Sequence, residues 1–128
     1  MDFPADLKYT REHEWARQEG GEMTVGITSH AQAELGDIVF LELPEVGARV
    51  EQGKTFGVVE SVKAVSDLYS PVSGQVVRVN ADLVDAPERV NAEPYGAGWM
   101  VVIETSGAGG NLLSAAEYEQ FVKEEKEK

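Results

Sequence analysis

A single lysine stands between two segments of the sequence that both have the composition of β-strands. The valine-rich run 56–62 is followed, after Lys63 and Ala64, by a second such run over 65–70. Two strands joined by so few residues predict a hairpin with Lys63 near its tip. A modifying enzyme can reach an exposed amine at a tip, but a protonated amine would need an activated acyl donor. The spacing alone also fits an ordinary surface lysine.

Other side chains have types that could do chemistry, but their settings do not favour it. His13 and His30 could bind a metal, yet the chain has no cysteine and the histidines lack ligand-like spacing, so we expect no metal site. Glu60 and Asp67 could form a carboxylate pair, but no nucleophile and base accompany them, so we expect no catalysis. Three aromatic residues could line a ligand pocket, but aromatic side chains of a small β domain usually belong to the core, and we expect them there. They are Trp15, Tyr95 and Trp99.

The charge balance excludes several classes of function. Acidic residues outnumber basic ones by 23 to 11, which gives a formal net charge of −12. Phosphate backbones and anionic membrane surfaces would repel such a chain, so we expect neither a nucleic-acid nor a membrane partner. Partners with basic docking faces are favoured, and salt should weaken their association.

The absence of cysteine means that any redox chemistry must come from an attached group. No stretch approaches the roughly 20 apolar residues that a membrane-spanning helix needs. The start of the chain has neither the basic and apolar regions of a signal peptide nor an Arg-rich transit segment. We therefore expect a cytoplasmic protein.

Alternating apolar residues indicate β-strands over most of the chain. Apolar side chains recur at every second position in three places, as in strands with one buried face. Turn residues at 44–47, 51–53 and 71–74 separate the strand-like segments. We predict one domain over 1–128, mainly β, built as a flattened antiparallel β sandwich or barrel hybrid with short helices. The alternating sets are Met23, Val25 and Ile27; Ile38 and Phe40; and Trp99, Val101 and Ile103.

A short helix is predicted over 30–35. Ser29 and Gln32 form a capping-box pattern at its start. Gly36 follows at the position where a helix often ends.

A longer helix is predicted at the C-terminus, over about 114–125. Ser114 and Glu117 have the spacing of a capping box. Apolar residues then recur at helical spacing, which gives the segment one apolar face.

The residues around Lys63 resemble those of a known protein family. The run 60–64 reads Glu-Ser-Val-Lys-Ala, and a Ser-Pro-Val-Ser-Gly segment follows at 70–74. This pattern closely resembles the lipoyl-attachment region of the glycine cleavage system H-protein family. It is more specific than the lysine hairpin that lipoyl and biotinyl domains share. The likeness covers nearly the whole chain and extends to the segments 9–15, 26–28, 35–39 and 91–99.

This resemblance implies a non-catalytic carrier with lipoic acid attached to Lys63. In the family, the lipoyl arm takes an aminomethyl group from a pyridoxal-phosphate glycine decarboxylase to a folate-dependent aminomethyltransferase. Dihydrolipoamide dehydrogenase then receives the electrons. The lysine stem and lipoyl chain together span about a dozen single bonds, a reach on the order of 15 Å. A monomer is expected.

The resemblance also implies a lipoyl-domain-like fold with an attachment hairpin around 54–72. A lipoylating enzyme would then choose its lysine by the neighbouring residues, among which Glu60 is favoured as a recognition group. These neighbours are Glu60, Ser61, Val62 and Ala64.

Sheltering of the loaded amine is a further implication of the resemblance. Glu14 and Asp67 match positions whose carboxylates could hold an ammonium group, although both could be solvated surface acids. Glu12 stands where family members often have a smaller polar residue, which argues against a hydroxyl contact there. The segment 107–110 looks looser than is usual before the last helix.

Two alternatives to the shuttle stay open at this point. One is a lipoyl or biotinyl carrier of another complex, disfavoured by the segments around Trp15 and 91–99 and by the absence of Met beside Lys63. The other is an adaptor that donates lipoate to other proteins, or regulates them, without taking part in glycine turnover.

Overall fold

The computed structural model describes residues 2–105 and 112–126. Within these residues the chain forms nine strands and four helices. The strands are β1 (Lys8–Tyr9), β2 (Glu14–Glu19), β3 (Glu22–Ile27), β4 (Ile38–Glu42), β5 (Arg49–Val50), β6 (Thr55–Ser61), β7 (Val65–Tyr69), β8 (Gly74–Val79) and β9 (Val101–Glu104). The helices are α1 (Ser29–Leu35), α2 (Ala81–Asp85), α3 (Arg89–Ala92) and α4 (Ala115–Lys126).

The strands form two antiparallel sheets. The larger sheet has six strands in the order β1-β2-β3-β9-β8-β5, and the smaller has three in the order β4-β6-β7. Among the described strands, neither sheet closes into a barrel. The predicted mainly antiparallel β fold with short helices and a C-terminal helix is confirmed, in its open-sheet form. The segment 107–110 lies outside the described residues.

A core cluster of apolar side chains connects the two sheets. Its residues come from the large sheet, as with Val25 and Ile103, and from the small sheet, as with Val59 and Leu68. Burial of such a side chain contributes on the order of 1.5–3 kcal/mol. This shared core fixes the small sheet, which carries Lys63 at one end, against the larger one.

A second apolar cluster lies under α4. Tyr118 of that helix is fully buried and stacks on Tyr9 of β1, with ring centroids 4.7 Å apart. The helix is thereby attached to the edge of the large sheet. The buried members of this cluster are Leu7, Tyr9, Trp15, Leu113, Tyr118 and Val122.

A β-bulge overturns the predicted alternation in β4. The register between β4 and β6 shifts between Ile38 and Phe40. As a result Leu41 is buried, whereas Phe40 remains 46 % exposed. The prediction that Ile38 and Phe40 share one buried face was wrong, because the extra residue of a bulge turns the following side chains to the other face.

The start of α1 differs from the predicted one by a residue. Thr28, not Ser29, is the N-cap, and its Oγ1 accepts a hydrogen bond from the Ala31 N–H at 3.1 Å. The Gln32 side chain donates to the Ser29 carbonyl at 3.0 Å. Ser is on average the slightly better N-cap of the two, so intrinsic preference favoured Ser29 and the folded structure selects Thr28 instead.

The capping box of α4 forms as the sequence predicts. The Ser114 N–H donates to Glu117 Oε1 at 2.9 Å, and the Glu117 N–H donates to Ser114 Oγ at 3.2 Å. The two residues thus satisfy each other's free backbone groups at the helix start.

Candidate functional site

Lys63 lies in the short connection 62–64 between β6 and β7. The side chain of Ser61 stabilises this connection by hydrogen bonds to its backbone. Its Oγ accepts hydrogen bonds from the Lys63 N–H at 3.3 Å and the Ala64 N–H at 3.0 Å. The Ser61 N–H in turn donates to the Ala64 carbonyl at 2.8 Å. Ser61 therefore closes the turn without the Asn-Gly pair that tight hairpins usually need.

The tip is also held from the side by the connection between α1 and β4. The Val62 N–H donates to the Asp37 carbonyl at 3.1 Å. Gly36, the preceding residue, has φ of +82°, and a Cβ there would lie 3.4 Å from Lys63 Cε. The stem of Lys63 therefore runs along a backbone segment that has no side chain of its own.

Asn91 fixes this connection and was not recognised as a site residue from the sequence. Its amide donates to Gln32 Oε1 at 3.0 Å and to the Gly36 carbonyl at 2.9 Å, and its Oδ1 accepts from the Ile38 N–H at 2.9 Å. All hydrogen-bonding groups of the side chain are used in positioning. The only sequence signal was its place in the family-like segment 91–99.

The residues beside Lys63 differ in how far they are exposed. Lys63 and Ala64 are exposed and Val62 is 70 % exposed, so an enzyme can contact them. Glu60 is half-buried and pairs in register with Phe40 and Val65 on the neighbouring strands. Ser61 is buried in the turn, so its hydroxyl serves the hairpin rather than the surface.

Glu14 is a buried carboxyl group in the wall of a cavity of about 350 Å³. Its oxygens accept hydrogen bonds from Thr10 Oγ1 at 2.6 Å and the Tyr69 N–H at 3.2 Å. The Glu14 N–H donates to Thr10 Oγ1 at 3.0 Å, which locks the two residues together. The cavity is lined by Thr10, Arg11, Glu12, Glu14, Gln52, Gly53, Tyr69, Ser70, Pro71 and Leu112.

Burial raises the pKa of Glu14 to about 7, although the hydrogen bonds from Thr10 and Tyr69 oppose the shift. Near neutral pH the group is therefore divided between its charged and neutral forms. A cation that enters the cavity would stabilise the carboxylate.

Asp67 does not share this cavity. It is exposed in β7, and the acidic residues lining the cavity are Glu12 and Glu14. The structure therefore places only one of the two expected sheltering carboxylates, Glu14, in a pocket. Glu12, whose larger side chain was an expected departure, lines the same pocket.

Trp15 belongs to the packed interior, as the sequence predicts. It is fully buried, and its Nε1 donates to the Pro94 carbonyl at 2.9 Å. Gly26 lies opposite it in the register of β2 and β3, and a Cβ at Gly26 would approach the indole to 2.7 Å. The indole thus occupies the space of the missing side chain.

His13 and His30 lie side by side, although they are far apart in the sequence. Their ring centroids are 4.7 Å apart, and His13 Nε2 lies 3.3 Å from Glu125 Oε1. Because they lie in different elements, their spacing in the sequence could not predict this contact.

In the described parts of the chain, no helix is long and apolar enough to cross a membrane.

Comparison with known proteins gives one family throughout. The family model described as "Glycine cleavage H-protein" matches residues 7–125. A glycine cleavage system H protein of Brevibacillus brevis is 58 % identical over 126 residues, covering 97 % of this chain and all of that protein. One from Rubrobacter xylanophilus is 59 % identical over 124 residues, covering 97 % and 98 %. A crystal structure of such a protein from Mycobacterium marinum superimposes with a TM-score of 0.89 at 46 % identity, covering 94 % of this chain and 99 % of that one.

Proposed function

The chain belongs to the glycine cleavage H-protein family, and we propose that Lys63 is the lysine on which it carries lipoate. As a member of this family, the protein is a lipoyl-carrying shuttle of glycine cleavage and a non-catalytic subunit of that system. When bound, the lipoyl group supplies the disulfide that is reduced and the thiol that accepts the aminomethyl group. The sequence has no cysteine that could take over this role.

The observation that carries the Lys63 assignment is its position on an exposed tip whose backbone N–H groups are held by hydrogen bonds to Ser61 Oγ and the Asp37 carbonyl. Ser61 closes the turn and Asp37 accepts a hydrogen bond from its side. An enzyme can therefore take up the amine while the sheet beneath it stays folded. Because Gly36 has no side chain, the Lys63 stem has room to move beside it. This suits a lysine whose attached arm must swing between partner enzymes.

Intact-mass analysis after enzymatic lipoylation tests this assignment. Lys63→Arg should fold and gain no lipoyl mass. The matched control is Lys54→Arg, which removes an exposed lysine just before β6 of the same hairpin. This variant should gain one lipoyl group, as the native sequence does. A full lipoyl adduct on Lys63→Arg would refute the assignment.

For recognition by the lipoylating enzyme, we assign the direct contacts to the outward residues. Val62 and Ala64 are exposed on either side of the lysine, and Glu60 is half-buried three residues before it, in the last part of β6. Ser61 contributes through the shape of the turn, because its hydroxyl already serves two backbone N–H groups.

We assign the shelter of the loaded amine to Glu14 rather than to Asp67. A buried carboxylate in a cavity forms a stronger charge-assisted hydrogen bond with an ammonium group than a solvated one. The hydrogen bonds from Thr10 and Tyr69 fix its orientation before the amine arrives. Residues of the pocket wall would also limit access of water to the amine.

Membership of the glycine cleavage system implies partner enzymes of that system. We propose that these are the glycine decarboxylase, the aminomethyltransferase and dihydrolipoamide dehydrogenase, and that the carrier meets each as a monomer. The net charge of −12 supports docking on basic faces. The assignment of residues 1–128 to one carrier domain and the cytoplasmic location both remain predictions.

A further inference from the structure

Three side chains with metal-binding atoms meet between α1, α4 and the loop before β2, with His30 on the buried side and Glu125 on the exposed side. They are His13, His30 and Glu125, and one donor atom from each lies within 4.8 Å of the others. We propose that these residues form a binding site for a divalent transition metal, with Zn²⁺ as the best match. Two imidazoles and one carboxylate are a ligand set that zinc accepts, with water in the fourth position.

The distances suit a tetrahedral ion. Ligand bonds of about 2.0–2.2 Å place neighbouring donor atoms of a tetrahedron roughly 3.3–3.6 Å apart. His13 Nε2 and Glu125 Oε1 already lie 3.3 Å apart. The remaining gap, which involves a His30 ring nitrogen, is at most 4.8 Å, and Glu125 is 38 % exposed in the last turn of α4.

His13 is held in the orientation that metal ligands need. Its Nδ1 lies 2.8 Å from the Tyr118 hydroxyl, which also contacts Thr28 Oγ1 at 2.8 Å. With Nδ1 as the donor in this pair, Nε2 carries no hydrogen and its lone pair is available on the side of Glu125.

The backbone at His13 is a second indication. His13 has φ of +73°, and it is the one non-glycine residue with positive φ among residues 2–105 and 112–126. Backbone strain of this kind clusters at functional sites. The ring of this strained residue lies 4.7 Å from that of His30, measured between centroids.

His30 contributes a buried imidazole ring, one of whose nitrogens makes no hydrogen bond. The residue is 2 % exposed, and Nδ1 has no hydrogen-bond partner among the described residues. Its Nε2 lies 3.3 Å from Glu34 Oε1, a carboxylate on the same helix. A buried ring nitrogen without a partner is costly, and an imidazole in that state is a competent metal ligand. A metal here would join three elements that are separate in sequence.

Calorimetric titration with zinc chloride tests the proposal. The full chain is used without its lipoyl group, because the reduced arm would itself bind zinc through its thiols. Excess magnesium and moderate salt suppress diffuse binding to the acidic surface. We expect one zinc ion per chain and a rise in melting temperature with zinc but not with magnesium, since a ligand of the folded state stabilises it.

Two variants of the same helix localise the site. Glu125→Gln removes a ligand from an exposed position and should weaken zinc binding about tenfold or more. Glu124→Gln, its exposed neighbour outside the cluster, should bind like the unmodified chain. Equal affinity of Glu125→Gln, equal weakening by Glu124→Gln, or no saturable binding at all would overturn the proposal.

Cobalt provides a readout that does not depend on stability. Co²⁺ in a four-coordinate site with two imidazoles should give intense visible absorption bands, whereas diffuse binding to carboxylates should leave the weak spectrum of the hydrated ion. His13→Gln should abolish the intense bands. Their persistence in His13→Gln would contradict the assigned ligand set.

Discussion

The Glu14 carboxylate accepts a hydrogen bond from the Tyr69 backbone N–H at 3.2 Å. This bond joins the first residue of β2 to the last residue of β7, the strand that leads away from Lys63. The large sheet and the lysine hairpin are thereby connected at the pocket proposed for the amine. Protonation of Glu14, or its replacement, should therefore change both the stability of the protein and its function.

Glu14 should make the protein less stable as pH rises from acid to neutral. Its pKa is 4.5 in the unfolded chain and about 7 when folded, so the folded state holds the proton more tightly. This contribution is complete below pH 4.5 and is lost as pH rises through 7, a change of up to about 3 kcal/mol. Urea unfolding at several pH values should show the free energy of unfolding falling more steeply with pH in the native sequence than in Glu14→Gln. Glu12→Gln, which changes an exposed carboxylate, is the control and should keep the native pH dependence. Parallel pH profiles for the native sequence and Glu14→Gln would contradict this prediction.

Glu14→Gln should release the loaded amine faster than the native carrier. The substitution removes the negative charge that holds the ammonium group, and a charged hydrogen bond contributes about 1.5–3 kcal/mol, so release should be about tenfold faster or more. Ammonia release from loaded protein without the aminomethyltransferase measures this rate. Asp67→Asn should leave it unchanged. If the Asp67 variant alone accelerates release, the shelter lies on the outer face of β7 instead.

Ser61→Ala should loosen the lysine turn. The hydroxyl accepts from the N–H groups of Lys63 and Ala64, and its loss should cost about 1 kcal/mol and slow lipoylation several-fold. Chemical denaturation and the rate of lipoyl transfer measure the two effects. Ser66→Ala, a change within β7 of the same hairpin, should lipoylate at the normal rate. Normal lipoylation of Ser61→Ala would show that the turn does not need this side chain.

Gly36→Ala and Gly53→Ala should separate backbone strain from effects at the tip. Both glycines have φ of +82°, but a Cβ at Gly36 would contact the Lys63 stem, whereas one at Gly53 would meet nothing within 4 Å. Each substitution should destabilise the protein by about 1–3 kcal/mol. Only Gly36→Ala should also slow lipoylation, because Gly36 precedes the Asp37 carbonyl that holds the tip. Equal lipoylation rates for Gly36→Ala and Gly53→Ala would show that Gly36 has no role in presenting Lys63.

Local features of the fold could be predicted from the sequence because their causes are local. The capping box of α4 depends on two residues three positions apart, and both of its hydrogen bonds form. The strand pairing around Lys63 follows from two β-type runs separated by a short connection. Prediction failed where a neighbour on another strand decides the outcome, as at Phe40, which the bulge in β4 turns outward.

The site could be predicted only in part, for the same reason. The type of the lysine and its flanking residues identified the carrier chemistry through family resemblance. The sequence did not separate Glu14 from Asp67, since burial of one and exposure of the other depend on which sheet covers each residue. Asn91 was missed because its three partners come from α1 and the segment that follows it.

Short-range order along the chain thus established the strands, the last helix and an amine at a turn, because backbone preferences and side-chain periodicity act within a few residues. Packing of the two sheets and α4 established the rest: the buried carboxyl group at Tyr69, the support beneath Lys63, and the meeting of His13, His30 and Glu125. Contacts between distant residues, and the burial that shifts their chemistry, arise only when the folded elements are brought together.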